Sequence, residues 1–251
     1  MAADTLTGNP YASFGYSVAE AAPADRVTFI RRTYTHLAMA VYGFAALLWM
    51  YFQTPFADWV MAQVQAAPWL LLASFGGFMV VSWVANRWAM SETSVIQQYA
   101  GLVGYVVAQS ILILPMLWFA QDKVIQLAPG QNVNVIGAAG LVTLVMFGGL
   151  TALVWLTGKD FSFLGYGLGI AGMGIMALIV AGFFFQGLNL GIWFSVALIV
   201  FASAYILYDT SNVMNHYRPT QHVAASLALF SSVALLFWYV LRLFIALSNR
   251  D

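Results

Sequence analysis

The sequence predicts an all-α membrane protein with seven transmembrane helices. Three observations predict it. Of the 251 residues, 62% are hydrophobic and 7% are charged, whereas a soluble domain carries about 25% charged residues. Seven apolar runs approach or exceed the ~20 residues that cross a bilayer as a helix. Nearly all the charges fall between those runs. Alternating barrel strands would place a polar residue at every second position, and these runs do not, so helices are the spanning element.

In chain order the runs cover residues 33–52, 68–85, 99–120, 135–157, 163–185, 190–208 and 223–247. The second is the shortest. Before them, residues 1–28 form a tail rich in Ala, Gly, Ser, Pro and Thr, whose composition predicts mobility. Residues 29–251 then form the transmembrane domain. The longest connections, 53–67, 121–134 and 209–222, are too short to hold a folded domain. The fifth run is dense in glycine, at Gly165, Gly167, Gly169, Gly172 and Gly174. Gly165 and Gly169 have the four-residue spacing that lets helix backbones approach closely. Gly137, Gly140, Gly148 and Gly149 repeat the theme in the fourth run. No internal repeat supports an inverted-repeat transporter.

Basic residues predict the orientation. Arg26, Arg31, Arg32, Arg87, Lys159 and Arg218 fall on one side, Lys123 and Arg250 on the other. The positive-inside rule then places the N-terminus in the cytoplasm and, after seven crossings, the C-terminus outside. Trp59, Trp69 and Trp118 sit at the edges of the outer connections, as an interfacial aromatic belt would.

Composition and motifs exclude several functions. The net charge is zero, so nothing points to a nucleic-acid partner, and there is no cysteine for thiol catalysis, disulfides or thiolate metal sites. No cleavable signal peptide is expected, since the first apolar run follows some thirty polar or small residues. Both lysines lie in connections, where a retinal Schiff base could not form. No His-Glu-x-x-His motif, Gly-x-Ser-x-Gly elbow or phosphate-binding loop is present. No run interior holds the two carboxylates of an aspartyl protease. The sequence is therefore read as no enzyme, with no cofactor and no metal, and with the lipid bilayer as its first partner.

A few charged residues remain as candidates. Asp209 closes the sixth run at the predicted cytoplasmic end. It is either solvated or paired inside the bundle, and Arg87, at the same end of the second run, is its natural cationic partner, together with Lys159. Such a pair could open on protonation of the aspartate. Asp160, in the turn Thr157-Gly158-Lys159-Asp160-Phe161-Ser162, has the pattern of a helix N-cap. Arg242 lies inside the last run, about 28 Å from its start, as a snorkelling anchor or an outer gate. His36 and His222 could meet at the cytoplasmic face, but their spacing does not demand a metal site.

Four stretches carry a resemblance to a known family. They are Phe29-Ile30-Arg31-Arg32-Thr33-Tyr34, Gly101-Leu102-Val103-Gly104-Tyr105, the run from Thr157 through Lys159, Asp160 and Ser162 to Gly165, and Ile206-Leu207-Tyr208-Asp209-Thr210-Ser211-Asn212. With these, the chain from about Phe29 onward resembles the Bax-inhibitor/YccA-like membrane proteins, and its ending Ser248-Asn249-Arg250-Asp251 resembles the bacterial YccA-like branch. The resemblance implies seven helices with the last at the centre of the other six. It also implies, in some members, a pH-sensitive calcium leak. There an aspartate ending helix six pairs with one in helix seven, latched by an arginine from helix two. Asp209 matches the first aspartate and Arg87 the arginine. The second aspartate is missing: its place falls at Phe230, Ser231 or Ser232, with Ser232 the best match. A shared-proton dyad cannot form there, and two serine hydroxyls suit calcium poorly.

The YccA-like branch, which also tends to lack that aspartate, implies a bacterial inner-membrane protein that modulates a membrane-anchored AAA protease of the FtsH type. A loose cytoplasmic tail suits such a partner. The alternatives are a cation leak gated near Asp209 and a structural subunit of a larger membrane complex.

Overall fold

Backbone hydrogen bonds do not stop where apolar residues stop, and the helices outrun the apolar runs. The computed structural model describes residues 17–91, 94–128, 131–184 and 191–249. The chain order is α1 (Pro23–Gln53), α2 (Phe56–Ala66), α3 (Trp69–Ala89), α4 (Val95–Ala120), β1 (Val124–Ala128), β2 (Gln131–Asn134), α5 (Val135–Thr157), α6 (Leu164–Phe184), α7 (Gly191–Asn215) and α8 (His222–Ser248). All but α2 among the helices are long and apolar enough to cross a membrane, seven in all. The tail expected over residues 1–28 lies outside the described residues as far as Tyr16, and so do Arg250 and Asp251. Within it, α1 already begins at Pro23, with proline in the first turn where its missing N–H costs nothing.

Two connections hold structure that run-counting passed over. Residues 53–67 contain α2, and residues 121–134 contain an antiparallel hairpin of β1 and β2. Helix α2 turns Ala57 and Met61, four residues apart, into the bundle. Trp118 pins it by donating its indole N–H to Asp58 at 2.8 Å.

Helix α8 is the core. In its most apolar window 72% of the residues are buried, against 6% in α3 and in α6. It packs against α1, α3, α4, α5 and α7, while α6 leans on α7. Lipid tails are as apolar as leucine, so packing and small-residue contacts hold such a bundle rather than a hydrophobic force between helices. Ser226 of α8, fully buried, sits with its hydroxyl 2.8 Å from the carbonyl of Thr33 on α1.

The tightest approach joins α3 to α4. A Cβ on Gly101 would lie 2.6 Å from the carbonyl oxygen of Ala85 and 3.0 Å from the backbone nitrogen of Ala89. On α6, a Cβ on Gly165 would meet the Tyr208 ring at 2.8 Å, so this glycine does admit a neighbour. Gly169 has open space, so the four-residue pair does not act as one contact surface.

Candidate functional site around Asp209

Helix α7 continues through Asn215, so Asp209 does not close it. The residue sits six positions inside, about 9 Å from the helix end at 1.5 Å per residue. It is half-buried, and among the described residues no ion pair reaches it. Its carboxylate accepts a hydrogen bond from the hydroxyl of Ser232 on α8. The residues that follow it, Thr210 and Ser211, are fully buried. One position before Ser232, the Ser231 hydroxyl meets the phenol oxygen of Tyr105 on α4 at 2.8 Å. Three helices are thus joined by consecutive hydroxyls of α8.

Arg87 does not join them. It is exposed, with its guanidinium 5.6 Å from the Trp83 ring centre of its own helix. Helix geometry explains this. Ala85 and Ala89 face Gly101 of α4, and a residue two positions from each lies roughly 200° around an α-helix, on the opposite side. Among the described residues the ion pair present is Asp160 with His216 at 3.2 Å. Lys159 is exposed and takes no part in it.

Asp160 is not the N-cap of α6, which begins at Leu164. Its carboxylate accepts from the backbone N–H of Ser162 at 2.8 Å, closing a turn two residues wide. It also accepts from the Ser211 hydroxyl at 2.9 Å. Ser211 in turn accepts the N–H of Phe161 at 2.8 Å. The Ser162 N–H, with the help of Ser211 and His216, holds the Asp160 carboxyl well below the usual range, at about 2. The turn therefore clasps α7 two residues beyond Asp209.

The same end of the bundle is covered from the N-terminal side. Val18 is fully buried, and its N–H donates to the carbonyl of Tyr217 at 2.8 Å. Burial pushes the Tyr217 phenol above its ordinary value, and the nearby Asp209 carboxylate adds to that push. Val18 and Tyr217 carried no signal as site residues in the sequence, and Ser211 stood out only as part of the stretch that carries the family resemblance.

The remaining candidates fall elsewhere. His36 and His222 do meet, with ring centres 5.1 Å apart, and His36 Nε2 lies 2.8 Å from the Tyr99 hydroxyl. No third metal-ligating side chain joins them among the described residues. Arg242 is half-buried, its guanidinium 5.5 Å from the ring centre of Phe194 on α7.

Comparison with known proteins agrees with this architecture. Residues 26–250 match the protein family described as Inhibitor of apoptosis-promoting Bax1. Protein lifeguard 4 of Mus musculus is 26% identical over 263 aligned residues, covering 99% of this chain and 100% of that protein. Bax inhibitor 1 of Schizosaccharomyces pombe is 26% identical over 239 residues, covering 93% of this chain and 82% of that protein. An uncharacterised protein of Campylobacter jejuni is 27% identical over 222 residues, covering 88% and 90%.

Proposed function

The chain belongs to the Bax inhibitor family, and on that premise we propose that it is a bacterial inner-membrane protein that modulates a membrane-anchored AAA protease of the FtsH type. The observation that carries this reading is the partner of Asp209. It is the Ser232 hydroxyl, so the site holds one carboxyl group where a proton-sharing pair would hold two. With a single carboxyl there is no partner with which a proton could be shared. The reading also draws on the end of the bundle that carries Asp209. The segment before Val18 departs there, beside the Asp160 turn and the α7–α8 loop. A partner at that end can grip the tail and read the turn together. Relatives in Campylobacter jejuni and Pasteurella multocida support the bacterial setting.

The test is co-purification from native membranes in mild detergent, comparing the full chain with one lacking residues 1–16. Cutting at Tyr16 spares Val18 and the first turn of α1. A AAA protease recovered with the full chain and lost with the shortened one is the expected result. Equal recovery of another stable assembly from both would replace it with a structural-subunit role.

A second reading has its own support. Ser232 and Ser231 link Asp209 to Tyr105, and Tyr105 borders a cavity of about 540 Å³ among α3, α4, α6 and α8. A cation leak gated at Asp209 could use that polar link. Flux through liposomes that falls more than tenfold in Asp209→Asn, with the fold intact, would favour it over the modulator.

A further inference from the structure

The geometry points to a binding site for one anionic phospholipid between α3, α4 and α8, with its phosphate held by Arg242 and Lys123 and an acyl chain running inward along Trp238 and Leu112. Two cavities meet at Arg242. One, of about 540 Å³, runs inward to Ser231, and the other, of about 590 Å³, runs to Lys123 and Asn249. Phe75, Leu112, Trp238 and Arg242 line both, so the two cavities adjoin along these side chains, and we read them as two parts of one cleft.

Charge sets the headgroup. The cleft contains two cations, and among the described residues no carboxylate lines either part. Arg242 has an aromatic ring beneath it and no acidic partner among the described residues. Lys123 donates to the neutral side-chain oxygen of Asn249 at 2.6 Å. Charge at membrane depth is costly unless paired, and a guanidinium presents a planar fork that suits a phosphodiester. A zwitterionic headgroup presents the same phosphodiester but brings its own cation, so it leaves the net positive charge of the site in place.

Length and lining set the tail. Ser231 and Arg242 lie eleven residues apart on α8, about 16 Å at 1.5 Å per residue. That matches about half of the ~30 Å hydrocarbon layer, the depth of one leaflet. The walls between are mostly aromatic and aliphatic, and Ser74, Ser82 and Gln109 add polar groups. Gln109, 6% exposed, borders the inner cavity. Its amide can donate to an ester carbonyl of the same lipid.

The experiment is native mass spectrometry of the delipidated full chain in neutral detergent, titrated with dioleoyl phosphatidylglycerol. Dioleoyl phosphatidylcholine, oleate and inorganic phosphate are the competing probes. One phosphatidylglycerol bound at least tenfold more tightly than phosphatidylcholine is expected. Arg242→Gln combined with Lys123→Gln should abolish that preference, and Arg242→Lys should retain it. Leu112→Trp fills the cleft without touching charge and should lower occupancy of both lipids. Thermal unfolding of each variant identifies loss of fold, and the Lys variant keeps the question open to an answer if the Gln pair unfolds. Equal binding of the two phospholipids overturns the site. So does an unchanged preference in the Gln pair. Displacement by phosphate alone would mark a free-anion site, and oleate binding as well as phosphatidylglycerol would mark a carboxylate site; either overturns the phospholipid assignment.

Discussion

Two aspartates in this protein each accept a serine hydroxyl, and they live in opposite circumstances. Asp160, on the rim, has Ser211, the Ser162 backbone N–H and His216 around it. Asp209, inside the bundle, has Ser232. Donor number separates them. A carboxylate with several donors stays charged and fastens structure, as Asp160 fastens the 157–163 turn to α7. A carboxylate with one donor among three helices is poorly compensated, and such groups mark function more often than stability. The difference teaches where to cut: the rim aspartate through its donors, the inner one through its neighbour.

The largest effect should come from making the inner site worse. Ser232→Asp places a second carboxylate beside Asp209. Two charges about 4 Å apart repel by about 4 kcal/mol at an effective dielectric near 20. The thermal midpoint of detergent-solubilised protein at pH 8 should fall steeply and recover on acidification. An unchanged midpoint would show that position 232 does not share the site with Asp209. Next in size is Ser211→Ala, which leaves the Phe161 N–H without its acceptor and strips one donor from Asp160. A loss of about 1–3 kcal/mol follows, with faster proteolysis in the 157–163 turn. If that turn stays as protected as in the wild type, the clasp is not what holds it.

A smaller effect comes from pH. The Asp160 carboxyl is lowered from 3.8 to about 2 in the folded chain. A depressed pKa gives stability that is fully present above the unfolded value and is lost as pH falls through the folded one. The midpoint gap between wild type and Asp160→Asn should thus stay constant from pH 8 to 5 and close between about pH 4 and 2. The gap is modest because Asp160 is half exposed. A gap that instead widens in acid would reverse the sign and remove Asp160 as an anchor. Smallest of all, Arg87→Ala should change stability by about 0.5 kcal/mol or less, since the side chain rests on Trp83 and not on Asp209. A loss comparable to that of Ser232→Asp would restore the latch.

The crossings were legible because bilayer thickness turns run length into a helix count. Ser232 was singled out through the family resemblance, and the structure does bring its hydroxyl to the Asp209 carboxylate. What the sequence did not disclose depends on rotation and on ends. Which way Arg87 points follows from the face of α3 that meets Gly101, a fact of packing between two helices. Asp209 seemed terminal because Thr210, Ser211 and Asn212 are polar, yet Thr210 and Ser211 are buried and α7 runs on to Asn215. Helix α2 spans eleven residues, too few for any transmembrane criterion, and its signal was the four-residue spacing of Ala57 and Met61. The hairpin was signalled by Pro129-Gly130 between two short runs that include β-branched residues.

Helix α8 is at once the centre of the bundle and the element that follows all its neighbours in the chain. In synthesis from the N-terminus, the helices that pack on α8 are all made before it. Their mutual contacts can form early, but α1, α4, α5 and α7 gain the partner they share only once α8 is made.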